Sequence, residues 1–274
     1  MILTFPIRSD KLTMSVMATA HLASVRSDFQ QIDVYDTEVF GRVLMLDGHI
    51  QLTTFDERAY HESLVHVPML NVAEPKSALV VGGGDGGVIR ELCRYPSLEH
   101  IDMVEIDAEV VRISLEFLTE VSGGAFDDPR VSLHLADAFE FVRSSTRSYD
   151  LIVVDCTDVY EEEVGELSER LFTDEFYKDV LARLSPSGFV VTQADNPVFC
   201  PYSMAEIKDM YSRIFSNTGS YWAMVPSFGG FSGFCWGSKG AEIAGSCPNH
   251  SIVRGLSYIQ ASRYQQALSQ LPWV

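Results

Sequence analysis

The chain is short of positive charge. It carries 20 Lys and Arg against 38 Asp and Glu, a net charge of −18 over 274 residues, with a pI near 4.6. So acidic a surface repels phosphate backbones and anionic lipid, so neither nucleic acid nor a membrane is expected as a partner, whereas a cationic small molecule is attracted. No apolar run is long enough for a transmembrane helix. The stretch Leu12–Ala23 faintly mimics a secretory signal after Lys11, but Arg8-Ser-Asp10 precedes it and its Thr, Ser and His make a poor apolar core. Cysteine is sparse too. Cys93, Cys156, Cys200, Cys235 and Cys247 are odd in number, widely spaced and form no C-x-x-C. That argues against a disulfide framework and for a reducing, cytoplasmic location. The only metal-like spacing, Cys247-Pro-Asn-His250, lacks further ligands, so no metal is expected. There is no internal repeat and no low-complexity tract.

What is present is a chain 46% hydrophobic, enough for one large domain with a small appendage. Residues 1–55 read as β-structure. Gln31–Asp36 alternates, and Arg42–Leu46 and His49–Thr53 flank the turn signal Asp47-Gly48 as a hairpin. Residues 56–70 read as a helix with Tyr60, Leu64 and Val67 on one face, and Asn71–Lys76 as a linker. Strands are then expected at 78–81, 101–105, 131–135, 149–155, 189–193, 220–225 and 234–237. Helices are expected near 87–94, 108–118, 138–143, 169–184 and 203–215, and Ser257–Leu271 is compatible with one more. Strands alternating with helices imply an α/β fold whose doubly wound, parallel, Rossmann-like sheet is covered on both faces. The expected domains are a small antiparallel β unit, 1–55, and a catalytic unit, 56–274.

Leu79–Arg90 reads LVVGGGDGGVIR, an apolar strand turning through glycines into a helix. Such a turn brings backbone N–H groups and a helix N-terminus against a ligand, and Gly82 and Gly84 leave room for its approach. Met103-Val104-Glu105-Ile106-Asp107 follows about twenty residues on, a second strand ending in an acid suited to ribose hydroxyls. Ligands in such sheets lie beyond the carboxyl ends of the strands. Here those ends carry Asp85, Glu105 with Asp107, Asp137 with Ala138, and Asp155 with Asp158. Four acidic strand ends on one rim repel each other unless a cation or hydroxyl donors occupy the crevice. Paired aspartates after a near-apolar strand suit deprotonation of an amine, because burial and mutual repulsion raise a carboxylate pKa toward working pH.

On these residues, together with Phe29-Gln30, Leu46-Asp47-Gly48, Ile50-Gln51, Asp56-Glu57 and Tyr60-His61-Glu62, the chain resembles the spermidine synthase family of aminopropyltransferases over about residues 28–239. The resemblance implies a methyltransferase-type (class I) Rossmann domain behind a small N-terminal β domain, assembled as a homodimer or homotetramer. It implies transfer of the aminopropyl group of decarboxylated S-adenosylmethionine to a diamine or polyamine, putrescine foremost, with release of methylthioadenosine and no prosthetic group. Gln30, Gly82, Gly84, Glu105, Ile106, Asp137 and Ala138 would hold the nucleoside, and Asp85 would face the aminopropyl ammonium. Asp155 would deprotonate the attacking amine, assisted by Tyr60 and Asp158. Gln51, His61, Gln193 and Phe228 would line the acceptor channel.

Three segments depart from the family pattern. After Asp155-Cys-Thr-Asp158 both usual prolines are missing, and Glu161, Glu162, Glu163 and Glu166 are added, either as a solvated loop or as an acidic mouth for a longer polyamine. Phe228 stands where the family has a tyrosine that helps bind and activate the acceptor. Gln193-Ala194-Asp195 replaces Gln-Gly-Glu. Two other readings stay open from sequence: an amine N-methyltransferase using S-adenosylmethionine on the same fold, and a non-catalytic nucleoside- or polyamine-binding homologue.

Overall fold

A computed structural model describes residues 1–9, 11–156 and 167–271. Asp158 and the glutamates of the Val159–Glu166 loop lie outside the described residues. The N-terminal sheet is an antiparallel meander of β1 (Ile2–Arg8), β2 (Leu12–Arg26), β3 (Gln31–Thr37), β4 (Gly41–Leu46) and β5 (His49–Thr53). The signal-like stretch is part of β2, a strand with residues of alternating exposure. The hairpin turn has Asp47 at φ 46° and Gly48 at φ 81°, the two positive values a tight two-residue turn needs.

Helix α1 (Glu57–Met69) connects to the larger domain. Its elements follow as β6 (Ser77–Gly82), α2 (Gly87–Cys93), β7 (His100–Glu105), α3 (Ala108–Phe117), α4 (Thr119–Ser122), β8 (Val131–Leu135) and α5 (Ala138–Ser144). Then come β9 (Tyr149–Asp155), α6 (Asp174–Arg183), β10 (Leu184–Gln193), α7 (Pro201–Ile214), β11 (Asn217–Val225), β12 (Gly230–Ser238) and α8 (Ala261–Ala267). The sheet order is β11-β12-β10-β9-β6-β7-β8. Strands β8, β7, β6, β9 and β10 are parallel. The sheet is nonetheless mixed, not wholly parallel as the alternation implied, because β12 runs antiparallel to both neighbours. Only a short turn, Pro226–Gly229, separates β11 from β12, too short for the crossover a parallel pair needs.

Period two along β6 divides the core. Ala78 and Val80 join the cluster of Leu64, Val67, Val88 and Ile89, whereas Leu79 and Val81 join that of Phe139, Val142, Phe176 and Val180. The N-terminal sheet lays Ile32, Val34, Leu44 and Leu46 on Val110 and Ile113 of α3. That packing sets the small sheet over the carboxyl ends of the parallel strands.

The tail departs from expectation. Helix α8 covers only Ala261–Ala267. The amides of Ser257, Tyr258 and Ile259 instead donate to the buried Glu62 carboxylate at 2.7–2.9 Å, which holds those residues out of a helix.

The turn after β6 is where glycine is required. Gly82 sits at φ 79°, and a Cβ there would lie 2.2 Å from the Asp155 carbonyl oxygen. Gly82→Ala is therefore expected to lose about 1–3 kcal/mol of stability from the backbone conformation alone, with the steric clash added, measured by chemical denaturation. Unchanged stability would mean that the turn relaxes freely.

Candidate active site

The strand order reverses between β6 and β9, where Gly82 pairs in register with Asp155. A crevice opens at such a switch point. Here it is a cavity of about 390 Å³ between the two sheets. Helix α1 supplies Glu57, Tyr60 and His61, positions i, i+3 and i+4 that share a face. The turn after β6 supplies Asp85, and β9 ends on Asp155.

These side chains are joined. Tyr60 donates its hydroxyl proton to Asp155 Oδ1 at 2.6 Å. His61 Nε2 lies 3.3 Å from Asp85 Oδ1, which also accepts the Gly87 amide at 2.7 Å. His61 Nδ1 lies 2.7 Å from Glu57 Oε2. One imidazole nitrogen of His61 and one carboxylate oxygen each of Asp85 and Asp155 all fall within 4.8 Å of one another. Glu57 in turn takes two hydrogen bonds from Arg90, at 2.8 and 2.9 Å, and Arg90 Nε donates to Glu91 at 2.7 Å.

Burial penalises every charge in this array, and the partners decide the outcome. Burial would favour a neutral His61, but Asp85 and Glu57 outweigh it and push the imidazole up to about 10. Burial would raise Glu57, yet His61 and Arg90 hold it at about 2. Asp155 goes the other way. Burial, then repulsion from Asp85, push it up to about 6, against the pull of His61 and the Tyr60 hydrogen bond. A carboxylate there is ionised at neutral pH yet poised to take a proton.

At the other end of the cavity Glu105 Oε1 accepts the amides of Ile106 and Asp107 at 2.8 and 2.9 Å. Burial overrides those bonds and, with Asp107 and Asp85 nearby, pushes the carboxyl up to about 7. Gly84 keeps its second oxygen open, since a Cβ there would lie 3.0 Å from Oε2.

Comparison with known proteins shows the family and the fold. Residues 57–245 fit the spermine/spermidine synthase domain, and residues 7–54 fit the spermidine synthase tetramerisation domain. The chain is 40% identical to a polyamine aminopropyltransferase of Moorella thermoacetica over 85% of its own length and 81% of the relative's. It is 41% identical to one of Clostridioides difficile over 80% and 77%. It superposes with a TM-score of 0.91 at 27% identity on a spermidine synthase solved with the transition-state analogue AdoDATO, covering 99% of this chain and 92% of that one. With the spermidine synthase of Thermotoga maritima the TM-score is 0.89, again at 27% identity, over 99% and 91%.

The chain belongs to the spermine/spermidine synthase family.

All the candidate site residues named from sequence, Asp158 apart, line the same cavity: Gln30, Gln51, Tyr60, His61, Gly82, Gly84, Asp85, Glu105, Ile106, Asp137, Ala138, Asp155, Gln193 and Phe228. Several have structural tasks as well. Gln30 Nε2 donates to Asp107 at 2.9 Å and so ties the small sheet to the start of α3. Asp137 caps α5 through the Phe139 amide at 2.8 Å and pairs with Arg170 at 2.8 Å. Gln193 Nε2 donates to the Cys156 carbonyl at 3.1 Å. Phe228 stands edge-on to Tyr60, ring centres 5.7 Å apart.

Sequence reasoning missed part of the wall. Pro6, Ile7, Arg8 and Ser9 of β1 and its turn reach the cavity, as do Asn196, Cys200 and Tyr202. No motif marks them. In the sequence Asp195 reads only as a departure from the family pattern. It sits at φ 53°, the sign of a constrained backbone, and burial pushes its carboxyl up. Glu57 reads only as part of a motif, and Arg90 as a helix residue.

Proposed function

We propose that the protein is a polyamine aminopropyltransferase that uses decarboxylated S-adenosylmethionine and a diamine or polyamine, putrescine foremost. The observation that carries this reading is the pair Asp85 and Asp155 across a recessed imidazole, in one cavity with a further buried carboxylate, Glu105, suited to a ribose. In this reading Glu105 accepts from the ribose, Asp137 and Ala138 border the adenine, and Asp85 meets the aminopropyl ammonium. Intact S-adenosylmethionine would set a carboxylate against Asp85. At an effective dielectric near 20, two like charges 4 Å apart repel by about 4 kcal/mol, which disfavours methyl transfer from that cosubstrate.

The reaction needs little from the protein beyond placement. The acceptor nitrogen, held neutral, attacks the propyl carbon bound to sulfur. The carbon–sulfur bond breaks, its electron pair stays on sulfur, and neutral methylthioadenosine leaves. The surplus proton on nitrogen passes to Asp155, whose position Tyr60 fixes. Asp158 is proposed to assist. Gln51, His61, Gln193 and Phe228 border the acceptor, and Phe228 offers a ring edge where a hydroxyl would donate or accept.

The division into residues 1–55 and 56–274 belongs to the same proposal, supported by two family matches that meet between residues 54 and 57. So does assembly into a homodimer or homotetramer. Met1, Ile2 and Met17 leave apolar surface exposed on the small sheet, the kind of patch that association covers. A cytoplasmic location is supported by five free cysteines.

Products are read by mass spectrometry after incubation with decarboxylated S-adenosylmethionine and putrescine, cadaverine, 1,3-diaminopropane, agmatine, spermidine or spermine. One amine is expected to gain an aminopropyl group as methylthioadenosine appears, and Asp155→Asn should cut the rate by orders of magnitude while still binding methylthioadenosine. A methylated product from S-adenosylmethionine, or silence with methylthioadenosine still bound, would reject the reading. Glu105 gives a second check. Ribose hydroxyls favour its ionised form, so binding of methylthioadenosine at pH 6–7 is expected to release a fraction of a proton, read by calorimetry in buffers of different ionisation enthalpy. Proton uptake would place the ribose elsewhere.

A further inference from the structure

The reaction as proposed uses Asp85, Tyr60 and Asp155, and leaves unexplained a buried chain of charges behind them. Arg90 grips Glu57 with two nitrogens, at 2.8 and 2.9 Å. Glu57 Oε2 meets His61 Nδ1 at 2.7 Å, and His61 Nε2 reaches Asp85 Oδ1 at 3.3 Å. All but Asp85 are buried. Arg90 is itself fixed by Glu91, at 2.7 Å, and by the Val121 carbonyl. Gly87 packs so close to the His61 ring that a Cβ would lie 2.3 Å from it, so the ring has no room to turn away.

We infer that Glu57 and Arg90 are positioning residues for aminopropyl transfer: they hold His61 as a fixed imidazolium, which keeps Asp155 ionised and aims Asp85 at the aminopropyl ammonium. This rests on the aminopropyltransferase reading for its purpose, though not for its geometry. Asp85 Oδ1 is engaged twice, by His61 and by the Gly87 amide, which turns Oδ2 toward the substrate. Among the described residues, the groups facing His61 come from three elements. Helix α1 contributes Glu57 and Tyr60, the turn after β6 Asp85, and β9 Asp155, with Arg90 of α2 behind Glu57. Two carboxylates in contact with a buried imidazole, one of them locked by arginine, leave the ring protonated across the physiological range. An imidazolium so close to Asp155 offsets the repulsion from Asp85.

The sign follows directly. Without Glu57 the imidazole loses one of its two anionic partners and its pKa falls. Once it is neutral, Asp155 loses a nearby positive charge and its own pKa rises, by about 1–3 units for a charge within a few ångströms. A base starting near 6 would then be about 2- to 90-fold less ionised at pH 7, and raising the pH would restore it.

The test is Glu57→Gln, read three ways. In the wild-type protein labelled with ¹⁵N-histidine, the His61 signal, assigned by its loss in His61→Gln, is expected to show an imidazolium at pH 8. In Glu57→Gln it is expected to be neutral at that pH. The acid limb of kcat/KM should move up by about 1–3 units from near 6, with about half or more of the rate recovered at pH 9. A purely structural role would lower the melting temperature and leave the limb in place, which would overturn the inference. So would a neutral His61 at pH 7 in the wild-type protein, a result that stands even if Glu57→Gln does not fold. Absence of aminopropyl transfer in the amine panel would remove the proposed function but would leave the charge on His61 as measured.

Discussion

Repulsion between Asp85 and Asp155 is the constraint around which the site is built. Carboxylate oxygens of the two lie within 4.8 Å of each other, where like charges repel by about 3–4 kcal/mol at an effective dielectric of 20, and the repulsion from Asp85 adds to burial in pushing Asp155 up. The protein opposes it with a buried imidazole against Asp85 and a tyrosine hydroxyl on Asp155. The remaining imbalance suits a site whose proposed cosubstrate brings a sulfonium and an ammonium.

The fold makes this proximity unavoidable. Asp85 and Asp155 leave the carboxyl ends of adjacent parallel strands, and Gly82 lets those backbones approach until no side chain fits between them. Helix α1 crosses the same end and turns Glu57, Tyr60 and His61 toward it. The small sheet then closes the crevice from above by packing on α3. Water exclusion, which raises the carboxylates, and the ion pairs, which restrain them, therefore come from the same few packing decisions.

Much of this could be read in the sequence because it is local. The glycine turn, the acids at strand ends and the Asp47-Gly48 hairpin each rest on short-range rules of spacing and backbone conformation. The antiparallel β12 was not legible, since periodicity gives no strand direction. Nor was the tail, whose shape is set by three amides on Glu62 some 195 residues away. The Glu57–Arg90 pair, 33 residues apart, has no motif of its own, and either residue alone reads as a surface charge on a helix. Arg8 and Tyr202 reach the cavity only because two separate parts of the chain meet there.

The proposed chemistry needs a base poised just below neutrality by its surroundings. A ¹³C titration of the Asp155 carboxyl in the free protein, assigned by its loss in Asp155→Asn, measures that directly. A pKa near 6 is expected. An ordinary value near 4, about that of an exposed aspartate, would show that burial and Asp85 do not set its chemistry, and Asp155 would then be a poor candidate for the group that takes the proton.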